Sequence, residues 1–342
     1  MEKIGVIGIG KLGLCFALNL ERVGYEVVGV DVNEEYVNQL NNCTYTSLEP
    51  YVDDYLQAAS NFRATTKLSD VIDRVLDKIT NFGEQQHTRH LVISCTTMPG
   101  YCDQAAEQIA PYNYTLTYNP EFIARGNIIE DQQYPDQVLI GETDDKAGAH
   151  VEEIYSNICR NKPAFCHMKP LSAEICKIAT NCFLTTKISF ANSIGDLAIQ
   201  AGAEYDKILD AIGSDTRIGK QYMKYGYGFG GPCFPRDNKA LGLYGDEQNY
   251  ELLLSKATDE INRRHLEFQF QRCLEHYGED EIIEFDYVTF KKGTPSLEES
   301  QQLALAVKLA RAGRKVRIKE QPVIVEELEK QYPRLFELSS HS

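Results

Sequence analysis

The first 31 residues constrain the fold more than any other stretch of the chain. Lys3–Ile7 reads as a short apolar strand, and Gly8, Gly10 and Gly13 follow at once as GxGxxG. Leu14–Val23 continues at helical spacing, and Tyr25–Val30 is a second apolar strand that ends in Asp31. Strand, glycine turn, helix, strand and acid in that order define a crossover unit with parallel strands. In it Gly8 permits the tight turn, Gly10 the close approach of a pyrophosphate, and Gly13 the packing of helix on sheet. The helix N-terminus then faces the negative charge. Lys11 and Leu12, between the last two glycines, belong to the same cofactor-binding turn. Asp31 would accept hydrogen bonds from ribose hydroxyls and repel a 2′-phosphate, so the expected cofactor is NAD, not NADP.

With 342 residues, 43% of them hydrophobic, the chain can bury two or three cores of ordinary domain size. A formal net charge of −15 opposes binding to nucleic acid or to an anionic membrane surface, neither of which is an expected partner. The ten cysteines form no CxxC pair, and the HxxH at His87 and His90 has no nearby cysteine or carboxylate, so no metal is expected. Reduced thiols point to the cytoplasm. The apolar N-terminus, punctuated by Gly5, Gly8, Gly10 and Gly13, leads straight into a second strand and does not read as a signal peptide; no segment reads as membrane-spanning.

The expected dinucleotide-binding domain covers residues 1–165. A strand over His90–Cys95 carries Thr96 and Thr97 at its carboxyl end, where a doubly wound sheet binds ligands; a threonine cap on the next helix is the alternative. Leu116–Tyr118 is another strand, ending in Asn119-Pro120-Glu121-Phe122, and Val138–Gly141 closes the sheet. In the middle region, residues 166–277, Ile175, Ile178, Cys182, Phe183, Phe190, Ile194 and Leu197 recur at helical spacing and predict a long, largely buried helix over Leu171–Ala201. Lys177 and Asn181 share one face of it, either converging on one point or forming a solvated face. Gly226–Asp237, reading GYGFGGPCFPRD, places Cys233 in a glycine-rich loop and Asp237 one helical turn further on. That is the spacing of a nucleophile and its polar partner, though a buried free cysteine in a tight turn fits it too. Arg217 and Lys220 lie upstream, placed to balance a pyrophosphate.

The GxGxxG turn, the Asn119–Phe122 segment, Lys177 with Asn181, Arg217-Ile218-Gly219 and Gly228–Asp237 resemble, in that order, the nucleotide-sugar dehydrogenases that oxidise UDP-glucose and GDP-mannose. The resemblance covers roughly residues 1–265. It implies a four-electron oxidation of a sugar's primary alcohol to a carboxylate with two NAD, most readily of UDP-glucose to UDP-glucuronate. Cys233 would form a thiohemiacetal and then a thioester, and Lys177 and Asn181 would stabilise the oxyanion. Asp237 would hold a base or ordered water, while Glu121 and Thr97 would serve thioester hydrolysis. Further cofactor contacts would come from Thr96, Thr97 and Arg236. Substrate contacts would come from Glu121, Phe122, Ile123, Lys177, Asn181, Arg217, Tyr222, Tyr225, Gly230 and Lys291. The resemblance also implies a homodimer through the central helix. A two-electron dehydrogenase of a hydroxy acid or alcohol, or a non-catalytic NAD or nucleotide-sugar binder, are the alternatives.

Two departures from the family pattern stand out. Arg125 takes the place of a glutamate, and Pro295-Ser296-Leu297-Glu298-Glu299-Ser300 puts a glutamate where an arginine is usual. The third region, residues 278–342, opens with Phe290-Lys291-Lys292-Gly293-Thr294 in the family manner. It reads as a strand over Ile282–Phe290, a helix over Leu297–Ala312, a strand over Lys315–Ile318 and a helix over Val323–Tyr332, about half of a nucleotide-binding lobe. The expected fold class is therefore α/β: an N-terminal Rossmann doubly wound parallel sheet, a central long-helix domain and a short, partial α/β C-terminal domain.

Overall fold

The computed structural model describes residues 2–47, 49–66, 79–80, 83–123 and 127–340; Arg125 lies outside them. The chain divides into two compact units, Met1–Lys177 and Ile178–Ser342.

The first unit begins β1 (Lys3–Ile7), α1 (Lys11–Arg22), β2 (Glu26–Val30), α2 (Glu34–Asn41), α3 (Val52–Ala58) and β3 (Phe62–Thr65). It continues β4 (Arg89–Ile93), α4 (Tyr101–Ile109), β5 (Tyr114–Tyr118), α5 (Ile128–Gln133), β6 (Gln137–Glu142), α6 (Asp145–Ile158) and β7 (Ala164–Met168). The first three strands form a parallel sheet in the order β1-β2-β3, with Lys3 opposite Glu26 and Val27 opposite Phe62. Leu14, Leu18 and Leu20 of α1 pack with Val27, Ile128, Ile129 and Ile158 in one core. Each such side chain contributes about 1.5–3 kcal/mol by leaving water. The second sheet runs β4-β5-β6-β7 around Leu116, Tyr118 and Leu139.

The Rossmann-type α/β architecture is present, and three details differ from expectation. Helix α1 starts at Lys11, not Leu14, because Gly10 already caps it. Strand β6 runs antiparallel to β5, with Tyr118 opposite Gly141. It does not close the sheet either: β7 pairs with it in parallel, Gln137 opposite Ala164. Pro163 and Pro170 break the periodic pattern on either side, yet a five-residue strand fits between them.

Helix α7 (Pro170–Ala201) spans 32 residues and carries the boundary between the units. The second unit continues α8 (Tyr205–Ser214), α9 (Phe234–Glu247), α10 (Leu253–His276), β8 (Ile282–Phe285), α11 (Gln301–Arg311), β9 (Lys315–Glu320), α12 (Pro322–Gln331) and β10 (Glu337–Ser340). Its sheet, β10-β9-β8, is parallel throughout. Phe270, Ile283, Phe285, Leu303, Leu309, Val316 and Ile318 fill its core.

Here the expected strand over Ile282–Phe290 stops at Phe285, because the N–H groups of Val288 and Thr289 donate to the buried Glu320 carboxylate, not to a neighbouring strand. The helix expected from Leu297 starts at Gln301, where Ser300 caps it. Strand β10 has no apolar run to announce it. On α7, Phe183, Phe190 and Leu197 are not buried as their periodicity suggested, but 63%, 45% and 65% exposed.

Ser300 accepts from Leu303 N at 3.2 Å and donates from its hydroxyl to Val288 O. Ser300→Ala removes the cap and leaves that carbonyl unmatched. It should lower stability by about 1–2 kcal/mol, read as a lower urea midpoint at unchanged slope.

Candidate active site

In the first unit the glycine turn is built as a cradle. Gly8 takes φ +83° and donates its N–H to Val30 O at 2.8 Å, which ties the turn to the end of β2. A Cβ on Gly13 would lie 2.1 Å from the Gly8 carbonyl oxygen, so only glycine lets α1 approach so closely. Gly10 caps α1 without a side-chain hydrogen bond, and the exposed Lys11 and Leu12 form its first turn. Asp31, at the end of β2, is half-buried and accepts from Asn33 N at 3.0 Å. Tyr36 of α2 donates its hydroxyl to Ile9 O at 2.8 Å and braces the turn from the other side. A turn free of side chains, a helix N-terminus and a carboxylate at the next strand's end together fit a dinucleotide.

Beyond β4, Thr96 and Thr97 are half-buried. Neither caps α4; Gly100 holds that place and makes no side-chain cap of its own. The capping carboxylate comes from Glu174 on α7, which is fully buried. Glu174 accepts from Gly100 N at 2.6 Å, from Cys102 N at 2.9 Å and from the Thr97 hydroxyl at 2.8 Å. The single hydroxyl proton of Thr97 is thus committed to Glu174, and Thr97 presents itself to any further group as an acceptor.

Glu121 and Phe122 follow β5, whose end is held by Asn119 donating to Leu139 O at 2.9 Å. Lys177 donates from Nζ to the Glu121 carbonyl at 2.6 Å, and the same nitrogen stands 4.3 Å from the centre of the Phe122 ring. At 6% exposure Lys177 is no solvated surface lysine. Ile123 packs on the α1 core. The Glu121 carboxylate accepts from Gln132 Nε2 at 2.8 Å. Burial pushes its carboxyl up to about 7, against the Gln132 hydrogen bond and the Lys177 charge, which both favour ionisation.

In the second unit Cys233 is exposed at the start of α9. Asp237 N donates to Cys233 O at 2.8 Å, so the carboxylate does follow one turn on. Asp237 is completely buried and accepts from Asn181 Nδ2 at 2.6 Å on one oxygen and from Arg236 Nε at 2.9 Å on the other. Asn181 and Lys177, one turn apart on α7, thus each hold a hydrogen-bond partner of their own, Asp237 and the Glu121 carbonyl. Arg236, read as a cofactor contact, holds Asp237 through a second nitrogen as well, at 2.8 Å.

The cysteine loop is held from several sides. Gly226 donates to Asn192 Oδ1 at 3.0 Å, and its carbonyl accepts from His265 Nε2 at 2.7 Å. His265 Nδ1 meets Asp196 at 2.8 Å, and Tyr225 donates to the same carboxylate at 2.8 Å. Asn262 brackets Phe229, and Gly231 donates to Glu298 O at 3.1 Å. A Cβ on Gly230 would lie 2.2 Å from the Glu299 carbonyl, so the loop's backbone rests on that segment. Tyr222, at φ +63°, brings its ring 6.3 Å from that of Phe234, beside Cys233. Tyr225 instead turns inward to Asp196. Arg217 is exposed and clasps Asp215 at 2.6 Å, and Lys291 is exposed on the turn after β8.

Sequence reasoning passed over Glu174, Gln132, Asn19, Asp196 and His265. The one available signal was a charged residue, Glu174, set among apolar neighbours three positions before Lys177. Among the described residues no group of three or more His, Cys, Asp or Glu is arranged to hold a metal, and no helix is long and apolar enough to cross a membrane. His90 of the HxxH instead bonds Thr115 at 2.7 Å.

Residues 2–76 and 68–159 match the NAD binding domain of the UDP-glucose/GDP-mannose dehydrogenase family, and residues 171–264 match its central domain. The chain is 30% identical to the UDP-glucose 6-dehydrogenase TuaD of Bacillus subtilis (strain 168) over 77% of this chain and 63% of that one. It thus spans less than two thirds of that relative's length. It is 28% identical to a UDP-glucose 6-dehydrogenase of Pseudomonas aeruginosa over 92% of this chain and 78% of that one. Among solved structures, a UDP-glucose dehydrogenase from Pyrobaculum islandicum superposes with a TM-score of 0.87 at 26% identity, covering 100% of this chain and 86% of that one. The glycine cradle falls within the matched NAD-binding domain, and Lys177, Asn181, Cys233 and Asp237 fall within the matched central domain. The chain belongs to the UDP-glucose/GDP-mannose dehydrogenase family and carries its NAD-binding domain.

Proposed function

We propose that this protein oxidises the primary alcohol of a nucleotide sugar, UDP-glucose foremost, to the carboxylate through a thioester on Cys233. The observation that carries the reading is the exposed Cys233 thiol at the start of α9 with the buried, hydrogen-bonded Asp237 one turn on. The buried ammonium of Lys177 and the raised carboxyl of Glu121 support it. The glycine turn and Asp31 would hold NAD, which when bound would accept one hydride in each of two oxidations.

In this reading the alcohol loses its proton to water ordered near Asp237 and Lys177, and the carbon becomes an aldehyde as its C–H bond breaks. The Cys233 sulfur adds to the aldehyde carbon and the oxygen takes up a proton, giving a thiohemiacetal. Lys177 and Asn181 stabilise the oxyanion on the way, a well-placed donor contributing about 3 kcal/mol. Loss of the remaining C–H as hydride and of the hydroxyl proton leaves the thioester. Glu121 takes a proton from water, the hydroxide adds to the carbonyl, and the C–S bond breaks to free the acid and the Cys233 thiol. Thr97, its own proton held by Glu174, accepts a hydrogen bond from that water. The covalent link keeps the aldehyde from escaping between oxidations. The route needs a reduced thiol, in keeping with a cytoplasmic protein.

Residues 1–165 take the cofactor role in this reading, residues 166–277 catalysis and dimerisation, and residues 278–342 part of nucleotide recognition. Phe183, Phe190 and Leu197 stand one heptad apart on the exposed side of α7, an apolar stripe that a second copy of the helix would cover in a homodimer. Phe190→Asp should convert the dimer to monomer in light scattering; a wild-type monomer would remove the dimer from the reading.

Counting NADH per UDP-glucose tests the chemistry. The thioester route requires two, with the Cys233→Ser variant losing the full oxidation; one NADH, unaffected by Cys233→Ser, would leave a two-electron dehydrogenase. Glu121→Gln should stall on the acyl-enzyme, visible by intact mass, with turnover reduced about 10²–10⁴-fold. Because Glu121 acts ionised, thioester hydrolysis should rise with pH through about 7 and level off above it. Gly13→Ala, by pushing α1 from the Gly8 carbonyl, should weaken NAD binding in calorimetry by about tenfold or more.

A further inference from the structure

Three buried amides stand in series behind Glu121. Gln133 Nε2 donates to Asn19 Oδ1 at 2.7 Å, Asn19 Nδ2 donates to Gln132 Oε1 at 2.8 Å, and Gln132 Nε2 donates to Glu121 Oε1 at 2.8 Å. Asn19 lies on α1, the helix of the cofactor cradle, and Gln132 and Gln133 end α5. The three are 1%, 3% and 4% exposed, so water does not substitute for a missed bond. A buried polar group left unmatched costs about 1–3 kcal/mol. Each amide has its oxygen on one side and its NH₂ on the other, so one orientation dictates the next. With its oxygen on Gln133, Asn19 must turn its NH₂ to Gln132. With its oxygen on Asn19, Gln132 must turn its NH₂ to Glu121.

We propose that Asn19 and Gln133, neither of which bonds Glu121, are positioning residues that lock Gln132 as a hydrogen-bond donor and so favour the ionised form of the Glu121 carboxyl. A protonated Glu121 that donated to Gln132 would need all three amides to reverse. The other charged and titratable groups around Glu121 act in known directions. Lys177 from α7 favours the carboxylate, while Tyr155 from α6 and Cys15 from α1 are held neutral by burial, the Cys15 thiol pushed up to about 12 with Glu49 adding to the effect. The relay therefore offsets the burial of Glu121 alongside Lys177. Its consequence for turnover rests on the hydrolytic role proposed above for Glu121; the relay itself does not.

The test is a carboxyl titration of the full-length protein labelled with ¹³C at the glutamate side-chain carboxyl, with the Glu121 resonance assigned by its absence in Glu121→Gln. Asn19→Leu and Gln133→Leu should each raise the Glu121 midpoint by about half a unit or more, and Gln132→Leu by about a unit or more. Asn19→Asp, an acceptor on both sides, should turn Gln132 around and raise it further. Leucine matches asparagine closely in size, and if one leucine variant fails to fold the other carries the same expectation. A Glu121 midpoint unmoved in Asn19→Leu and Gln133→Leu, beside a shift in Gln132→Leu, would overturn the relay. A moved midpoint supports it. If the midpoint moves while the pH dependence of acyl-enzyme hydrolysis stays still, the relay stands and the hydrolytic role of Glu121 falls.

Discussion

A buried polar stripe along α7 is the constraint on which the hydrogen bonding of each unit depends. Glu174, Lys177, Asn181, Thr185, Ser189 and Asn192 recur every three or four residues and are all buried. Polar groups withdrawn from water must be hydrogen-bonded. Thr185 donates to Cys182 O within the same helix, and the other five each select a partner segment. In the first unit Glu174 takes the Thr97–Cys102 turn and Lys177 takes the Glu121 carbonyl. In the second, Asn181 takes Asp237, Ser189 takes the Thr258 carbonyl, and Asn192 takes the start of the cysteine loop at Gly226. The partly buried Asp196 continues the series with His265 and Tyr225. The helix is therefore a template whose side chains fix partner segments within each unit and are not merely a packing element.

Two carboxylates near this helix meet different partners. Asp237 accepts from the Arg236 guanidinium and from the Asn181 amide. Glu121 has one amide, and the lysine beside it gives its hydrogen bond to the backbone carbonyl, so burial prevails and the carboxyl is raised to about 7. A carboxyl poised near neutrality suits proton transfer, since a base works best when its proton affinity lies near the working pH.

Much of the local architecture was legible in the residues. The crossover unit needs glycine where Gly13 faces the Gly8 carbonyl, and that requirement is visible as a motif. The long helix follows from apolar periodicity, and the spacing of Cys233 and Asp237 is one turn whatever surrounds it. Periodicity could not say which apolar positions the chain itself covers, because Phe183, Phe190 and Leu197 share the 3.6-residue rhythm of the core. Nor could it reveal β7 or β10. The first is flanked by prolines, and the second is a polar edge strand whose pairing with β9 is decided by neighbours far away in sequence.

By itself the sequence determined the order of strand, turn and helix, the presence of a cofactor cradle and the reactive residue types, because these depend on steric and periodic rules acting within a few residues. Only the tertiary structure decided what each polar side chain does. Lys177 and Asn181 share a helical face, yet one meets a backbone carbonyl and the other a buried carboxylate. Thr97 became an acceptor only when Glu174 was folded against it, and Asn19 reached Gln132 across 113 positions. Hydrogen-bond direction and burial are properties of neighbours in space, and local spacing carries no record of them.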